Sequence, residues 1–116
     1  MSRTQLLLGR HSIPGSVYHI TICTYQRAPK FLNFSCGRIV VNEMKKLHEA
    51  GTVTSMAWVL MPDHLHWLFQ LEDITELSSV VKALKGKTAR RLNLALGDHG
   101  HIWQKGYHDH AIRQDE

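Results

Sequence analysis

No stretch of this sequence is apolar over the length that a membrane-spanning helix needs, so we expect no membrane partner. The apolar run Leu6–Leu8 is too short for a secretory signal, and no small-residue cleavage site follows it. The sequence also lacks internal repeats, low-complexity tracts and linkers. Its 116 residues suffice for one modest core, and we expect a single cytoplasmic domain over residues 1–116.

Cysteine is scarce, and the spacing of Cys23 and Cys36 matches neither a metal knuckle nor a redox pair. We expect both to be reduced thiols. Acidic residues are outnumbered by Lys and Arg, which gives a formal net charge of +4 and an isoelectric point near 9.3. This balance favours polyanionic partners such as nucleic acids, although mildly basic proteins are too common for charge alone to identify a partner.

Hydrophobic periodicity predicts six secondary-structure elements. In chain order they are a strand over 16–25, a helix over 35–51, strands over 54–61 and 64–71, a helix over 73–97 and a strand over 108–113. Local signals mark their ends: an N-cap at Ser35, a capping box at Asp73 and Glu76, and a turn at Pro62 and Asp63. This order predicts an α+β, ferredoxin-like split βαβ fold with both helices on one face of an antiparallel sheet.

Two histidines of the predicted strand 64–71 lie on the face that the helices leave open. Strand side chains alternate between faces, so His64 and His66 point away from the apolar set that includes Leu65 and Trp67. Imidazoles at this spacing can converge on one metal ion, although histidines on a half-exposed sheet face are more often simply solvated. The rigid strand and the carboxylate of Asp63 beside the first histidine favour a metal site.

Basic residues concentrate on the second predicted helix, mostly off its apolar stripe. They are Lys82, Lys85, Lys87, Arg90 and Arg91. Such a face steers a phosphate backbone, or is only the solvated side of an amphipathic helix. The segment Gly86-Lys87-Thr88 lacks the upstream glycine and the preceding strand of a phosphate loop, so we predict no nucleotide binding there.

Aromatic residues and a second histidine cluster give weaker signals. Tyr25, Trp103 and Tyr107 lie in segments expected at the surface, where their rings can stack on bases, and we expect the other tryptophans in the core. The two histidines of the segment 108–110 share one strand face and form a second candidate ligand cluster, but alternation makes such coincidences common.

These features together resemble a known family. The segment Met61-Pro62-Asp63-His64-Leu65-His66 is similar to the Met-Pro-Asn/Asp/Glu-His-x-His metal-binding motif of the HUH single-tyrosine transposases. Residues 9–21, 85–93 and 102–113 resemble further blocks of one branch, the REP-associated tyrosine transposases. The four blocks occur in order and cover essentially the whole chain.

The resemblance implies a metal-dependent enzyme that cuts and rejoins single-stranded DNA. Members bind hairpin or palindromic DNA, hold the scissile phosphate on Mg²⁺ or Mn²⁺, and form a 5′-phosphotyrosine intermediate that conserves the energy of the phosphodiester bond. The resemblance implies that His64 and His66 are metal ligands. It also implies that the basic residues of the second helix, together with Arg10 and Lys105, contact REP-like hairpin DNA. Since members are monomers or dimers, a homodimer stays open.

The resemblance does not identify the nucleophile in this sequence. It places the catalytic tyrosine on a helix that follows the block ending at Arg113, whereas the sequence ends at Glu116. We therefore expect a domain without that helix, which is inactive if nothing replaces it. Tyr107 precedes the segment His110-Ala111-Ile112-Arg113 and occupies an aromatic position of the family, so it is only a weak candidate for the nucleophile.

Two other functions remain open beside the transposase-type nuclease and strand transferase. One is a module that binds hairpin DNA without cutting it, which the missing helix makes realistic. The other is a small metal-dependent hydrolase that uses water as the nucleophile. A hydrolase needs a third ligand, which only Asp63, Asp109 or His110 could supply.

Overall fold

The computed structural model describes residues 15–72 and 76–112. Its strands are β1 Val17–Cys23, β2 Val53–Met61, β3 His64–Leu71 and β4 His108–Ile112, and its helices are α1 Phe34–Glu49 and α2 Leu77–Leu96. The strands form one antiparallel sheet in the order β2-β3-β1-β4. This confirms the α+β, ferredoxin-like architecture that the order of predicted elements indicated.

Alternating side chains build the core on one face of the sheet. In β3, Leu65, Trp67, Phe69 and Leu71 are fully buried, while the residues between them are only partly buried. In β1, Ile20 is fully buried on the same face, and buried residues of both helices belong to the same cluster. Because α1 and α2 both pack on this face, neither of them covers the opposite face.

An asparagine caps the first helix. The side-chain oxygen of Asn33 accepts hydrogen bonds from the backbone N–H groups of Ser35 and Cys36. The prediction of Ser35 as the N-cap was therefore wrong by two residues, since Ser35 is the second residue of α1. Both residue types are good caps, and only the path of the preceding chain decides between them.

The second helix ends where the sequence predicted and begins later. Gly97 closes α2 in the left-handed conformation, with φ of 62°. Glu76 is the N-cap residue and makes no capping hydrogen bond through its side chain, so it does not occupy the predicted place in a capping box. The other member of that box, Asp73, lies outside the described residues.

No helix in the described ranges has the length and apolar character needed to cross a membrane.

The predicted turn at Pro62 and Asp63 joins β2 to β3, and it is anchored to the segment that follows β1. The backbone N–H of Thr24 donates to the carbonyl oxygen of Asp63 at 2.9 Å, and that of Phe31 donates to the carbonyl oxygen of Pro62 at 3.0 Å. These two hydrogen bonds fix the turn that presents Asp63 and His64.

Candidate functional site

The two histidines of β3 lie on the sheet face that the described helices leave open. His64 and His66 alternate with the fully buried Leu65 and Trp67, and both are partly buried. Their ring centroids are 4.9 Å apart, and their ring planes are nearly perpendicular at 88°. The two imidazoles are therefore close enough to bind one ion.

A carboxylate and a guanidinium hold the first histidine. Nδ1 of His64 lies 2.7 Å from Oδ1 of Asp63, and Nε of Arg27 donates to Oδ2 of the same carboxylate at 3.0 Å. The hydrogen bonds from Arg27 and His64 keep the pKa of Asp63 below its ordinary value. Asp63 thus stays ionised and fixes the tautomer in which His64 carries its proton on Nδ1.

Two side chains of β1 hold the second histidine. Nδ1 of His66 lies 3.1 Å from Nε2 of His19 and 3.1 Å from Oγ1 of Thr21. Burial lowers the pKa of His66, and the neighbouring His64 and His19 lower it further. His66 is therefore kept in the neutral form that a metal ligand requires.

The histidine pair fits two positions of a divalent-metal site. In both His64 and His66 the Nδ1 atom is engaged, and among the described residues neither Nε2 atom makes a hydrogen bond. A ligating histidine usually has this arrangement, with its second nitrogen held by a carboxylate or another polar group. Across residues 15–72 and 76–112, no group of three or more His, Cys, Asp or Glu side chains is arranged to hold a metal. Two histidines are fewer than the three protein ligands of a typical catalytic zinc site, so the pair alone does not complete one.

Sequence reasoning missed His19 and Thr21 as parts of this site. It predicted the strand that carries both residues but did not connect that strand with the histidines of β3. The β1–β3 pairing sets Thr21 opposite His66 and His19 opposite Leu68, so His19 is the diagonal neighbour of His66. The predicted strand order, combined with a choice of register, would have found this contact.

Arg27 was also missed, and an unusual backbone carries it to the site. Gln26 and Arg27 both have positive φ, at 54° and 56°, which non-glycine residues rarely adopt. Their conformation turns the chain after β1 back over the start of β3, where Nη2 of Arg27 lies 3.4 Å from Nδ1 of His64. The signal in the sequence is topological, because an antiparallel neighbour places the end of β1 beside the start of β3.

The candidate cluster of β4 shares the open face with the β3 pair. His108 pairs with Thr21 and His110 pairs with His19 in the β1–β4 register. Asp109 lies opposite Ile20, whose side chain points to the core. The β4 residues therefore extend a polar histidine surface across the sheet, but they do not complete a three-residue metal group within the described ranges.

Most of the predicted DNA-binding cations lie on the other side of the sheet. Because α2 packs on the core face, the sheet separates its basic side chains from His64 and His66. Lys82, Lys87 and Arg90 are exposed. Arg10 lies outside the described residues.

The three remaining cations have different surroundings. Nζ of Lys85 donates to the carbonyl oxygens of Gln104 and Gly106 at 2.7 and 2.9 Å, and burial lowers the pKa of Lys85. Arg91 donates to the buried carboxylate of Glu43 at 2.6 Å. The exposed Lys105 lines a depression together with Thr21, so it is near the histidine face.

The structure reverses the predicted burial of two tryptophans. Trp103, expected at the surface, is 6% exposed, and its Nε1 donates to the hydroxyl of Thr88 at 2.9 Å. Trp58, expected in the core, is 47% exposed. Tyr107 is partly buried against the core, and its hydroxyl oxygen is buried.

Two solved structures share this fold. A REP-associated tyrosine transposase bound to a REP hairpin superposes with a TM-score of 0.71 at 24% identity, and the match covers 91% of this chain and 61% of the transposase. A protein of Deinococcus radiodurans described as a candidate transposase gives a TM-score of 0.71 at 22% identity, and the match covers 91% of this chain and 85% of that protein. This chain thus spans less than two thirds of the hairpin-bound transposase.

Sequence comparison identifies the family. No curated protein matches the chain. The family model described as IS200-like transposase matches residues 12–115. That range includes the histidine pair, the residues that hold it and both helices. Because the match extends over nearly the whole sequence, the chain belongs to the IS200-like transposase family.

Proposed function

We propose that this chain is a metal-dependent transposase domain that binds hairpin DNA and cuts the adjoining single strand at its histidine face. One observation carries the proposal: the Nδ1 atoms of His64 and His66 are held by other side chains, which leaves both Nε2 atoms available to an ion. The relative bound to a REP hairpin supports a hairpin of that kind as the partner.

The side chains around the pair have separate roles in this function. His64 and His66 would hold Mg²⁺ or Mn²⁺, which when bound supplies positive charge that polarises a phosphate oxygen. Asp63 sets the tautomer of His64, while His19 and Thr21 orient the ring of His66. These contacts hold the ligand atoms in place before DNA arrives, which lowers the cost of organising the site.

Cations on both sides of the sheet contribute to DNA binding in this proposal. Arg27 is 54% exposed in its side chain and stands beside His64, where it can meet a phosphate that approaches the histidine face. The other contacts are predicted for Lys82, Lys87, Arg90 and Lys105, with Arg10 as a further prediction from the sequence. Lys85 and Arg91 support the fold through their internal hydrogen bonds, which reduces what they offer to DNA.

A phosphotyrosine mechanism requires a tyrosine hydroxyl at the histidine face. Attack of its oxygen on phosphorus forms the 5′-phosphotyrosine bond and breaks the bond to the 3′-oxygen; the tyrosine loses its hydroxyl proton, and the 3′-oxygen takes up a proton to become a 3′-hydroxyl. The chain has three tyrosines. Tyr18 is 5% exposed and Tyr107 has a buried hydroxyl, whereas Tyr25 is 43% exposed. Tyr25 is therefore tested first as the nucleophile, and Tyr107 second.

Binding without cleavage is the second candidate function. It is favoured by the orientation of Tyr18 and Tyr107, which belong to the core side of the sheet. The hydrolase alternative has less support, because the carboxylate of Asp63 already contacts His64 and Arg27. Asp109 and His110, the other candidate ligands, form no three-residue metal group with the pair within residues 15–72 and 76–112.

A homodimer and a cytoplasmic location stay predictions. The edge strand β2 exposes the apolar side chains of Met56, Val59 and Met61, a surface on which a second copy can pair. Light scattering across a range of protein concentrations measures this association directly.

The test of the proposed function uses a hairpin oligonucleotide with a single-stranded tail, labelled at both ends and incubated with Mn²⁺. A protein-linked 5′ end on a denaturing gel supports the transposase mechanism, and Tyr25→Phe and Tyr107→Phe then identify the nucleophile. Cleavage without linked protein supports the hydrolase. Hairpin binding with no cleavage at any Mn²⁺ concentration supports the binding module.

Histidine variants separate metal binding from DNA binding. We expect His64→Ala and His66→Ala to lose Mn²⁺ binding and any cleavage while they keep most of the affinity for the hairpin. His108→Ala, on the same face but on β4, is the matched control and is expected to keep both. A large loss of hairpin affinity in both β3 variants contradicts the role of metal ligand.

A further inference from the structure

A groove lies between α1 and the edge strand β2, on the helix side of the sheet. Its volume is about 520 Å³, and aromatic and basic side chains line it. Phe34 and Trp58 are 76% and 47% exposed, which is unusual for large aromatic side chains in a soluble domain. We call this feature the α1–β2 groove and define it by Phe34, Arg38, Lys45 and Trp58.

The sequence of α1 produces the basic and aromatic lining. Phe34, Arg38, Val41 and Lys45 follow one another at spacings of three and four residues, so they share one face of the helix. The guanidinium carbon of Arg38 lies 5.7 Å from the ring centroid of Phe34, within the range of a cation–π contact. One helix face thus lines the groove with an aromatic ring and two positive charges, and Trp58 of β2 also lines it.

The cations of the groove are not neutralised within the described structure. No acidic side chain of the described residues lines the groove, and neither Arg38 nor Lys45 forms an ion pair there. The buried acid of α1, Glu43, pairs with Lys46 and Arg91 instead. The groove therefore combines exposed rings with uncompensated positive charge.

This combination matches the chemistry of single-stranded DNA. Bases stack on aromatic rings, and backbone phosphates pair with Arg and Lys. An apolar protein surface would cover the rings of Phe34 and Trp58 but leave Arg38 and Lys45 without counter-charges. The net charge of +4 for the whole chain adds to the preference for a polyanion.

The groove also adjoins the turn that carries the histidine site. Phe31 lines the groove, and its backbone N–H donates to the carbonyl oxygen of Pro62 at 3.0 Å, immediately before Asp63 and His64. We infer that the α1–β2 groove binds nucleotides of the single strand that adjoins the hairpin, with bases on Phe34 and Trp58 and phosphates on Arg38 and Lys45. This inference rests on the proposed function, since it assumes that DNA reaches the histidine face.

Tryptophan fluorescence reports directly on this groove. The chain has three tryptophans, of which Trp67 and Trp103 are 0% and 6% exposed. Quenching by a solution ligand therefore reports mainly on Trp58. We expect oligothymidylate of about ten nucleotides, the order of one single-strand binding site, to quench the emission. Trp58→Phe should abolish most of the quenching while it retains a ring on which a base can stack.

Affinity measurements test the contacts of the groove separately from those of the hairpin. The probes are a fluorescein-labelled blunt hairpin and the same hairpin with an oligothymidylate tail. We expect Trp58→Ala to weaken binding of the tailed hairpin about five- to 100-fold, the range for a lost base–aromatic stack. Arg38→Ala should also weaken it, through the loss of a phosphate contact, and both variants should leave binding of the blunt hairpin unchanged. Trp58→Phe should restore most of the tailed affinity.

Lys46→Ala is the matched control. It lies on the same helix and changes the net charge by the same amount as Arg38→Ala, but its ammonium pairs with Glu43 at 3.0 Å. We expect its affinity for the tailed hairpin to stay within about twofold of the wild type, since Lys46 does not line the groove and its charge is already paired with Glu43. Thermal unfolding of each variant checks that the fold is retained.

The outcomes distinguish this inference from the proposed function. If the wild type binds the blunt hairpin, but the tail neither quenches Trp58 nor adds affinity, the groove inference is overturned and the proposed function stands. If Trp58 emission changes with protein concentration in the absence of DNA, a second copy occupies the groove and the inference is overturned. If the wild type binds no hairpin, the proposed function fails and the inference fails with it.

Discussion

His19 lies against His66 across the β1–β3 pairing, with 3.1 Å between Nε2 of His19 and Nδ1 of His66. Thr21 approaches the same nitrogen at 3.1 Å. A ring nitrogen held in this way fixes the orientation of the imidazole. Two residues far from the motif in sequence thus determine how His66 presents its other nitrogen.

We therefore predict that His19→Ala and Thr21→Ala weaken Mn²⁺ binding about 10- to 100-fold, the usual cost of removing a group that orients a metal ligand. The double variant should lose more than either single variant, because each residue retains part of the restraint on His66. Isothermal titration calorimetry and the electron paramagnetic resonance signal of Mn²⁺ measure this without an activity assay. Thr21→Ser, which keeps the hydroxyl, should bind Mn²⁺ like the wild type.

The ion pair between Arg27 and Asp63 gives a second prediction. Removal of the guanidinium in Arg27→Ala deletes the largest cause of the low carboxyl pKa, so the pKa of Asp63 should rise towards its ordinary value of 3.8. A carboxyl-carbon NMR titration measures the shift. Arg90→Ala removes an exposed cation on the helix side and should leave the titration unchanged; an equal shift in both variants would contradict a direct contact.

Glu43 makes stability depend on pH. Burial alone would raise the pKa of its carboxyl, but hydrogen bonds from Lys46 and Arg91 lower it below the ordinary 4.5. The unfolded chain therefore takes up the proton first as the pH falls. The stabilisation is present at neutral pH and is lost as the pH drops from about 4.5 through the lower pKa of the folded state.

Urea unfolding of Glu43→Gln and Arg91→Ala at several pH values tests this dependence. We expect Arg91→Ala to lower the free energy of unfolding at neutral pH by about 1–3 kcal/mol, because a buried carboxylate loses a charged hydrogen bond. In Glu43→Gln, the free energy of unfolding should decrease less steeply than in the wild type as the pH falls below 4.5. An unchanged acid profile in Glu43→Gln would place that loss on other carboxyl groups.

Lys85 provides a prediction about the segment before β4. Its ammonium donates to the carbonyl oxygens of Gln104 and Gly106, so Lys85→Met should loosen the loop that carries Lys105. Amide hydrogen exchange should become faster around residues 100–107. Any fall in DNA affinity should come from this loosening of the loop, since Lys85 is not expected to contact DNA directly. Lys87→Met, an exposed position on the same helix, should leave the exchange unchanged.

Local patterns were sufficient to predict the elements and one face of the site. The alternation around Leu65 and Trp67 predicted that His64 and His66 point away from the core. The Pro62–Asp63 turn predicted the hairpin. Both signals act over only a few residues, so the local sequence reveals them. The order of the elements then limited the topology to a ferredoxin-like sheet.

Non-local packing decided the features that the sequence did not reveal. Trp103 is buried because the segment before β4 folds onto α2 and gives its indole N–H a partner in Thr88. Trp58 stays exposed because β2 is an edge strand with a groove beside it. Trp58 stands in an apolar stretch of the sequence and Trp103 in a largely polar one, so the local sequence favours the opposite of the burial that packing produces.

The sequence by itself determined that His64 and His66 stand together on one strand face, since the two-residue period of a strand is a local property of the backbone. Only the tertiary structure decided which groups hold them. The register of β1 against β3 brought His19 and Thr21 to His66, and two residues with positive φ brought Arg27 to Asp63. These contacts depend on strand pairing and chain path over long separations, which no local pattern encodes.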